Sequence, residues 1–171
     1  MAETERTRTR ERPPLAADGY EAAYRYRKEQ AERQLHGPVV VRSEDREAQI
    51  TRQGRLCFYL DPLTHPEMPL HHWRLFTHEI RTKSGRHRHQ GGLVIYVLSG
   101  VGYSIVEGER IDWKKGSLLL LPMKPGGVEH QHFNLDPEKP SVWAAFVPIA
   151  LTEHVASQLR QTETSPEFKQ E

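Results

Sequence analysis

The stretch Gly85-Arg86-His87-Arg88-His89, answered downstream by Glu129-His130-Gln131-His132-Phe133-Asn134, decides the fold of this chain. In an extended segment alternate side chains share a face, so His87 and His89 can grip one ion from a single edge of a pocket. His130 completes a facial set once its own strand lies alongside. Three neutral imidazoles suit a divalent first-row metal such as iron and leave coordination positions open for chemistry.

Outward from these motifs the chain breaks into short segments rich in Val, Ile, Leu and aromatics. Strands are predicted over residues 38–42, 55–60, 73–82, 93–98, 101–107, 110–113, 117–121, 128–134 and 141–147. Ser99-Gly100, Glu107-Gly108, Lys115-Gly116 and Pro125-Gly126-Gly127 supply the turns between them. Many short strands with no intervening helix indicate an all-β sandwich or barrel. No internal repeat is present, so one barrel is expected, spanning residues 38–150. Ahead of it, residues 1–17 are polar, carry Pro13-Pro14 and read as a disordered tail. Residues 18–37 read as a helix, with Asp18 as cap, Glu21 three positions on, and Gly37-Pro38 as the stop. Residues 151–171 are expected to hold a second helix, roughly Thr152 to Gln161, followed by a loose tail.

The composition excludes several classes. The 171 residues carry 24 Lys and Arg against 23 Asp and Glu, a formal net charge of +1, which gives no pull towards nucleic acid or membrane. The early basic cluster Arg6-Thr7-Arg8-Thr9-Arg10-Glu11-Arg12 has acidic neighbours and lacks aromatics, as a solvated tail does. Cys57 is the single cysteine, so no internal disulfide can form, and its apolar setting reads as a buried strand thiol. No apolar run approaches membrane-spanning length, and the N-terminus is charged where a signal peptide is apolar. A cytoplasmic protein is expected.

The pattern resembles the cupin superfamily. That family's first motif has the form G-x5-H-x-H-x3,4-E-x6-G. Here Gly85-Arg86-His87-Arg88-His89, running on to Gly100, matches the histidines and the closing glycine, while Leu93 stands where the family places a glutamate ligand. The second motif, G-x5-P-x-G-x2-H-x3-N, is matched by Gly116, Pro122, a lengthened turn through Gly126-Gly127, then His130 and Asn134. The resemblance implies a double-stranded β-helix, a jelly-roll barrel with the metal in its mouth and His87, His89 and His130 as ligands. Within the superfamily the details look most like the gentisate 1,2-dioxygenase group, which has an H-R-H run in its first motif, an H-x-H in its second, and no glutamate ligand. His87-Arg88-His89 and His130-Gln131-His132 match both runs. Those enzymes carry two barrels, whereas this chain carries one.

The same resemblance distributes further roles. His132, on the face of His130, matches a neutral imidazole near the metal that accepts a proton from a substrate hydroxyl or bonds to bound oxygen. The group's carboxylate-binding arginine falls at Ile95, which therefore becomes an expected substrate contact of apolar type. Arg81 or Arg74, from a neighbouring strand, could supply the missing anion contact. His36, His65, His78 and His154 read as structural or exposed, and His71 and His72 as loop or rim residues. Trp73, Trp113 and Trp143 read as core or interface.

Three neutral histidines leave Fe(II) with its full double charge, which attracts an anionic chelating substrate. The expected function is an Fe(II)-dependent, ring- or C–C-cleaving dioxygenase acting on a hydroxylated aromatic or an enolisable ketone, with Mn, Ni or Zn as alternative metals. Partners are then a small-molecule substrate and dioxygen, with no nucleic acid and no membrane. The competing readings are a non-catalytic ligand-binding or regulatory cupin, and a metal-dependent isomerase or decarboxylase that does not use oxygen. Apolar residues on both faces of residues 93–98, together with exposed strand edges, predict a homodimer or larger homo-oligomer.

Overall fold

The computed structural model describes residues 18–90 and 92–169. The tail expected over residues 1–17 lies outside the described residues. The chain divides at Gly37 into two units. The first holds helix α1 (Gly19–His36), which Asp18 caps by accepting the Glu21 N–H at 2.8 Å. Gly37 closes the last turn by donating its N–H to the Arg33 carbonyl, and Pro38 follows.

The second unit is a jelly-roll of two antiparallel sheets. Its strands are β1 (Ala48–Thr51), β2 (Gly54–Leu60), β3 (Trp73–Ile80), β4 (Arg86–His89), β5 (Leu93–Ser99), β6 (Val101–Val106), β7 (Glu109–Lys114), β8 (Leu118–Leu121), β9 (Val128–Asn134), β10 (Ser141–Pro148) and β11 (Arg160–Glu163). One sheet runs β1-β2-β3-β10-β5-β8 and the other β11-β4-β9-β6-β7. Strict alternation decides which residues enter the core: in β5, Leu93, Ile95 and Val97 are buried while Val94, Tyr96 and Leu98 are exposed. Those three buried residues pack with Ile80, Val128, Trp143 and the other inward side chains into a single apolar cluster.

Two glycines allow elements to approach where no larger residue fits. A Cβ on Gly85 would collide with Gln161 and with the Arg52 and Glu163 carbonyls, so this glycine lets β11 and the turn after β1 close on the start of β4. A Cβ on Gly102 would meet the Phe133 carbonyl and the Trp113 ring, so its absence admits the indole against β6.

Three expectations change. Residues 38–42 are not a strand; a 3-10 turn (Ser43–Asp45) follows them, and the first strand is β1, whose Gln and Thr positions hide it from an apolar search. The C-terminal helix α2 is only Ile149–His154, because Ala156 turns to positive φ and ends it. Arg160–Glu163, expected as helix end and loose tail, is instead strand β11. It has no apolar alternation and is held by main-chain pairing to β4, by Thr162 Oγ1 donating to the Arg86 carbonyl, and by the Glu163–Lys83 ion pair. Beyond it Ser165 is buried and its N–H bonds to the Arg52 carbonyl. No helix among the described residues is long and apolar enough to cross a membrane.

Candidate metal centre

Strand β4 is almost entirely polar, and its period of two sorts it cleanly. Arg86 and Arg88 point outward, to Gln131 and Glu163 and to Glu107 respectively. His87 and His89 point inward. β4 pairs with β9 in a register that sets His87 directly opposite His130. The His87 and His130 ring centroids are 4.2 Å apart, those of His89 and His130 4.9 Å, and those of His87 and His89 5.5 Å. One ligand nitrogen from each of the three lies within 4.8 Å of the others, and no carboxylate joins this group among the described residues.

Burial keeps these rings neutral. It pushes His87 down to about 4, with the neighbouring His89 adding to the effect, and it also lowers His89. His130 lies well below its ordinary value through burial and then through His87, His132 and His89. The tautomer of His130 follows from its bonding: Nδ1 lies 3.2 Å from the Val128 carbonyl, which can only accept, so the proton sits on Nδ1. Its Nε2 is then a bare lone pair, buried and with no protein partner. A buried, unpaired acceptor beside two other neutral imidazoles fits a divalent metal, because coordination satisfies the atom that the fold leaves unmet.

The three histidines form one wall of a cavity of about 610 Å³. Leu56, Phe58, Phe76, Leu93, Trp143 and Val147 give it an apolar interior. Arg74 and Asp61 supply a polar pole and are joined to each other, Arg74 Nε to Asp61 Oδ2 at 3.0 Å. Leu159 and Gln161, from the segment around β11, line the cavity as well.

The other expected site residues divide. Arg74 is on the cavity wall, but Arg81 is not: its side chain is 64% exposed and pairs with Glu79. Ile95 is also off the wall. Leu93, two residues earlier on β5, reaches the cavity, whereas Ile95 is completely buried in the apolar cluster. His132 is buried beside Trp143, with its Nδ1 2.6 Å from Ser104 Oγ and its burial holding it well below the ordinary histidine value. Asn134 ends β9 and holds the turn that follows; its amide donates to the Arg81, Asp136 and Lys139 carbonyls and its oxygen accepts from Ser141. His78, read from the sequence as structural or exposed, is fully buried against Trp143 and pushed down to about 3 by that burial. Asp61, Phe58, Phe76 and Gln161 had no signal in sequence, since each becomes a wall residue only when β2, β3 and β11 are assembled.

Residues 74–147 match the Cupin domain family model. Among curated proteins none is similar enough in sequence to register as a relative. Among solved structures, Streptomyces PAC13 with uridine is 13% identical over 76% of this chain and 95% of its own, with a TM-score of 0.53. Pac13 is described as a nucleoside dehydratase. Salicylate 1,2-dioxygenase from Pseudoaminobacter salicylatoxidans, as gentisate adducts, is 18% identical over 81% of this chain but 35% of its own, with a TM-score of 0.51. A cupin-like protein from Thermotoga maritima is 16% identical over 74% of this chain and 87% of its own, with a TM-score of 0.50. These likenesses are likenesses of fold. The family match over residues 74–147, together with the two-sheet jelly-roll, marks this barrel as a cupin domain.

Proposed function

We propose that this protein is an Fe(II)-dependent dioxygenase that cleaves a ring or C–C bond in a chelating hydroxylated aromatic or enolisable ketone. The observation that carries this reading is the convergence of three neutral imidazoles, with no carboxylate among them, on a cavity with apolar walls. His87, His89 and His130 would hold the metal. Bound there, Fe(II) would supply the positive charge that favours a deprotonated chelating substrate and a path for electrons from that substrate to dioxygen. Because the ligands are uncharged, none of that charge is cancelled by the protein. Phe58, Phe76 and Trp143 pack the body of the substrate and exclude water. Arg74, oriented side-on by Asp61, offers the remaining guanidinium edge to a polar substituent. The lone, partly buried Cys57 suits a reducing cytoplasm.

The test is oxygen uptake by the Fe(II)-loaded protein with a panel of catechols, gentisate analogues and diketones. Stoichiometric oxygen consumption with incorporation of both atoms supports the proposal. Turnover of any panel member without oxygen, with Zn, Mn or Ni replacing iron, would establish the isomerase or decarboxylase reading instead. Binding without turnover under both conditions would leave a ligand-binding cupin.

A further inference from the structure

Strand β11 brings into the cavity one polar side chain that neither the three imidazoles nor the Arg74–Asp61 pair engages. Gln161 lies directly opposite His87 in the β11–β4 register, and it lines the cavity that the imidazoles close. Direct partners of an antiparallel pair present their side chains to the same face, with Cβ atoms about 4.5–5.5 Å apart. The Gln161 amide is fixed in one orientation. Its Nε2 donates to the Glu163 carbonyl at 2.7 Å and to the Arg52 carbonyl at 3.3 Å, so both amide protons are committed. Turned over, the amide would set its oxygen against two carbonyl oxygens. Gly85 makes room for this arrangement, since a Cβ there would collide with Gln161 Nε2. Oε1 accepts no hydrogen bond from the described residues and stands as a fixed acceptor on the wall beside His87.

An acceptor that cannot turn selects a ligand with a donor. On the reading of the three imidazoles as a metal site, we propose that Gln161 determines specificity: its Oε1 accepts a hydrogen bond from a substrate hydroxyl that keeps its proton beside the metal-bound oxygen. The substrate class that fits is a vicinal diphenol bound as its monoanion. One oxygen gives up its proton under the charge of the metal. The other retains its proton and donates to Gln161. A 1,3-diketone bound as its enolate brings only acceptors to this wall, and leaves Oε1 without the partner that water had given it. Gln161 thus favours the hydroxylated aromatic over the enolisable ketone within the proposed substrate range.

The test is calorimetric titration of 4-methylcatechol and of acetylacetone into the zinc-loaded protein, where no oxygen chemistry consumes the ligand. Gln161→Met keeps the length of the side chain and removes its acceptor. It should weaken 4-methylcatechol binding by about tenfold and leave acetylacetone binding unchanged. A merely structural role for Gln161 would weaken both ligands alike, and that result, or no change in either, overturns the proposal. The wild type gives a second measurement that does not depend on the variant folding. In protein labelled with carbon-13 glutamine, the Gln161 side-chain carbonyl should move downfield with 4-methylcatechol and stay in place with acetylacetone. An unmoved resonance at saturating 4-methylcatechol also overturns the proposal. If the wild type takes up no zinc, or binds neither chelator, the metal reading fails and this inference falls with it; if both chelators bind without discrimination by Gln161, the metal reading stands and the inference alone is refuted.

Discussion

His87 and His130 are direct cross-strand partners on β4 and β9, with ring centroids 4.2 Å apart. This pairing turns a sequence separation of more than forty residues into one edge of a site, and His89, two positions along β4, adds the third ring. Since two of the three sit on one four-residue strand, the group depends on β4 keeping its register.

Each of the three imidazoles should be needed for metal. Single substitutions to Ala leave two ligands, too few to hold a divalent ion well, so metal content should fall from about one ion per chain to well under half of that. Circular dichroism should remain that of the folded protein. Inductively coupled plasma analysis checks this, and undiminished metal in His130→Ala would remove the assignment.

Gly102 should tolerate no side chain. A Cβ there runs into backbone at Phe133 and into the Trp113 ring, neither of which can step aside cheaply. Overpacking of this kind costs about 1–3 kcal/mol, so Gly102→Ala should lower the urea midpoint well outside the scatter of surface substitutions. Equal midpoints would show that the strands have slack at this point.

Acid should destabilise the protein through His78. Its folded value of about 3 lies below the ordinary 6.5, so the unfolded chain binds more protons between those limits. The stability that a neutral His78 contributes is complete above pH 6.5 and is lost progressively as pH falls towards 3. His78→Leu removes this contribution, and its urea midpoint should fall less steeply than the wild type's as pH drops through that window. Parallel curves for the two proteins would refute it.

The frame of the site was legible because it rests on period-two patterns. Leu93 to Leu98 alternates, so its two faces follow from the residue order alone, and His87-Arg88-His89 sorts itself in the same way. What was not legible depends on how far along a strand the barrel stays open. Ile95 points inward as its parity demands, but only Leu93 at the start of β5 reaches the cavity, and Ile95 falls in the packed interior. β11 escaped notice for another reason. Arg160-Gln161-Thr162-Glu163 has no apolar face, and main-chain bonds to β4 supply its order.

A second copy of the chain should cover the outer face of β5 and β8. Val94 faces Leu120 and Tyr96 faces Leu118 across these strands, and all four are exposed, as is Leu98. Among the described residues β8 is also an open sheet edge. A contiguous apolar face next to an unpaired edge is a liability for a monomer and a self-complementary surface for a two-fold dimer. Light scattering at micromolar concentration should give a dimer or larger oligomer, and Leu120→Glu should shift it towards monomer. A monomeric wild type would contradict this.

Substrate choice should follow from the Arg74–Asp61 pair. Arg74 is on the cavity wall, yet Asp61, 4% exposed, holds its guanidinium at 3.0 Å and balances its charge. The Arg74–Asp61 pole is thus net neutral, and Phe58, Phe76, Leu93 and Trp143 give the cavity apolar wall, while Arg52 lies on another part of the lining. A substrate carboxylate placed against the Arg74–Asp61 pair would lose hydration without gaining an unshared cation from it. Gentisate should therefore be a weak substrate compared with a chelating phenol or diketone bearing an apolar substituent. Asp61→Asn keeps the shape of the side chain and removes its charge, so it should release Arg74 for an anionic substituent. The preference for gentisate over an uncharged catechol should then rise by about tenfold, equivalent to ~1.4 kcal/mol. The measurement is the ratio of kcat/KM for the two substrates in wild type and variant. Efficient gentisate cleavage by the wild type that persists in Arg74→Ala would show that the anion is held elsewhere.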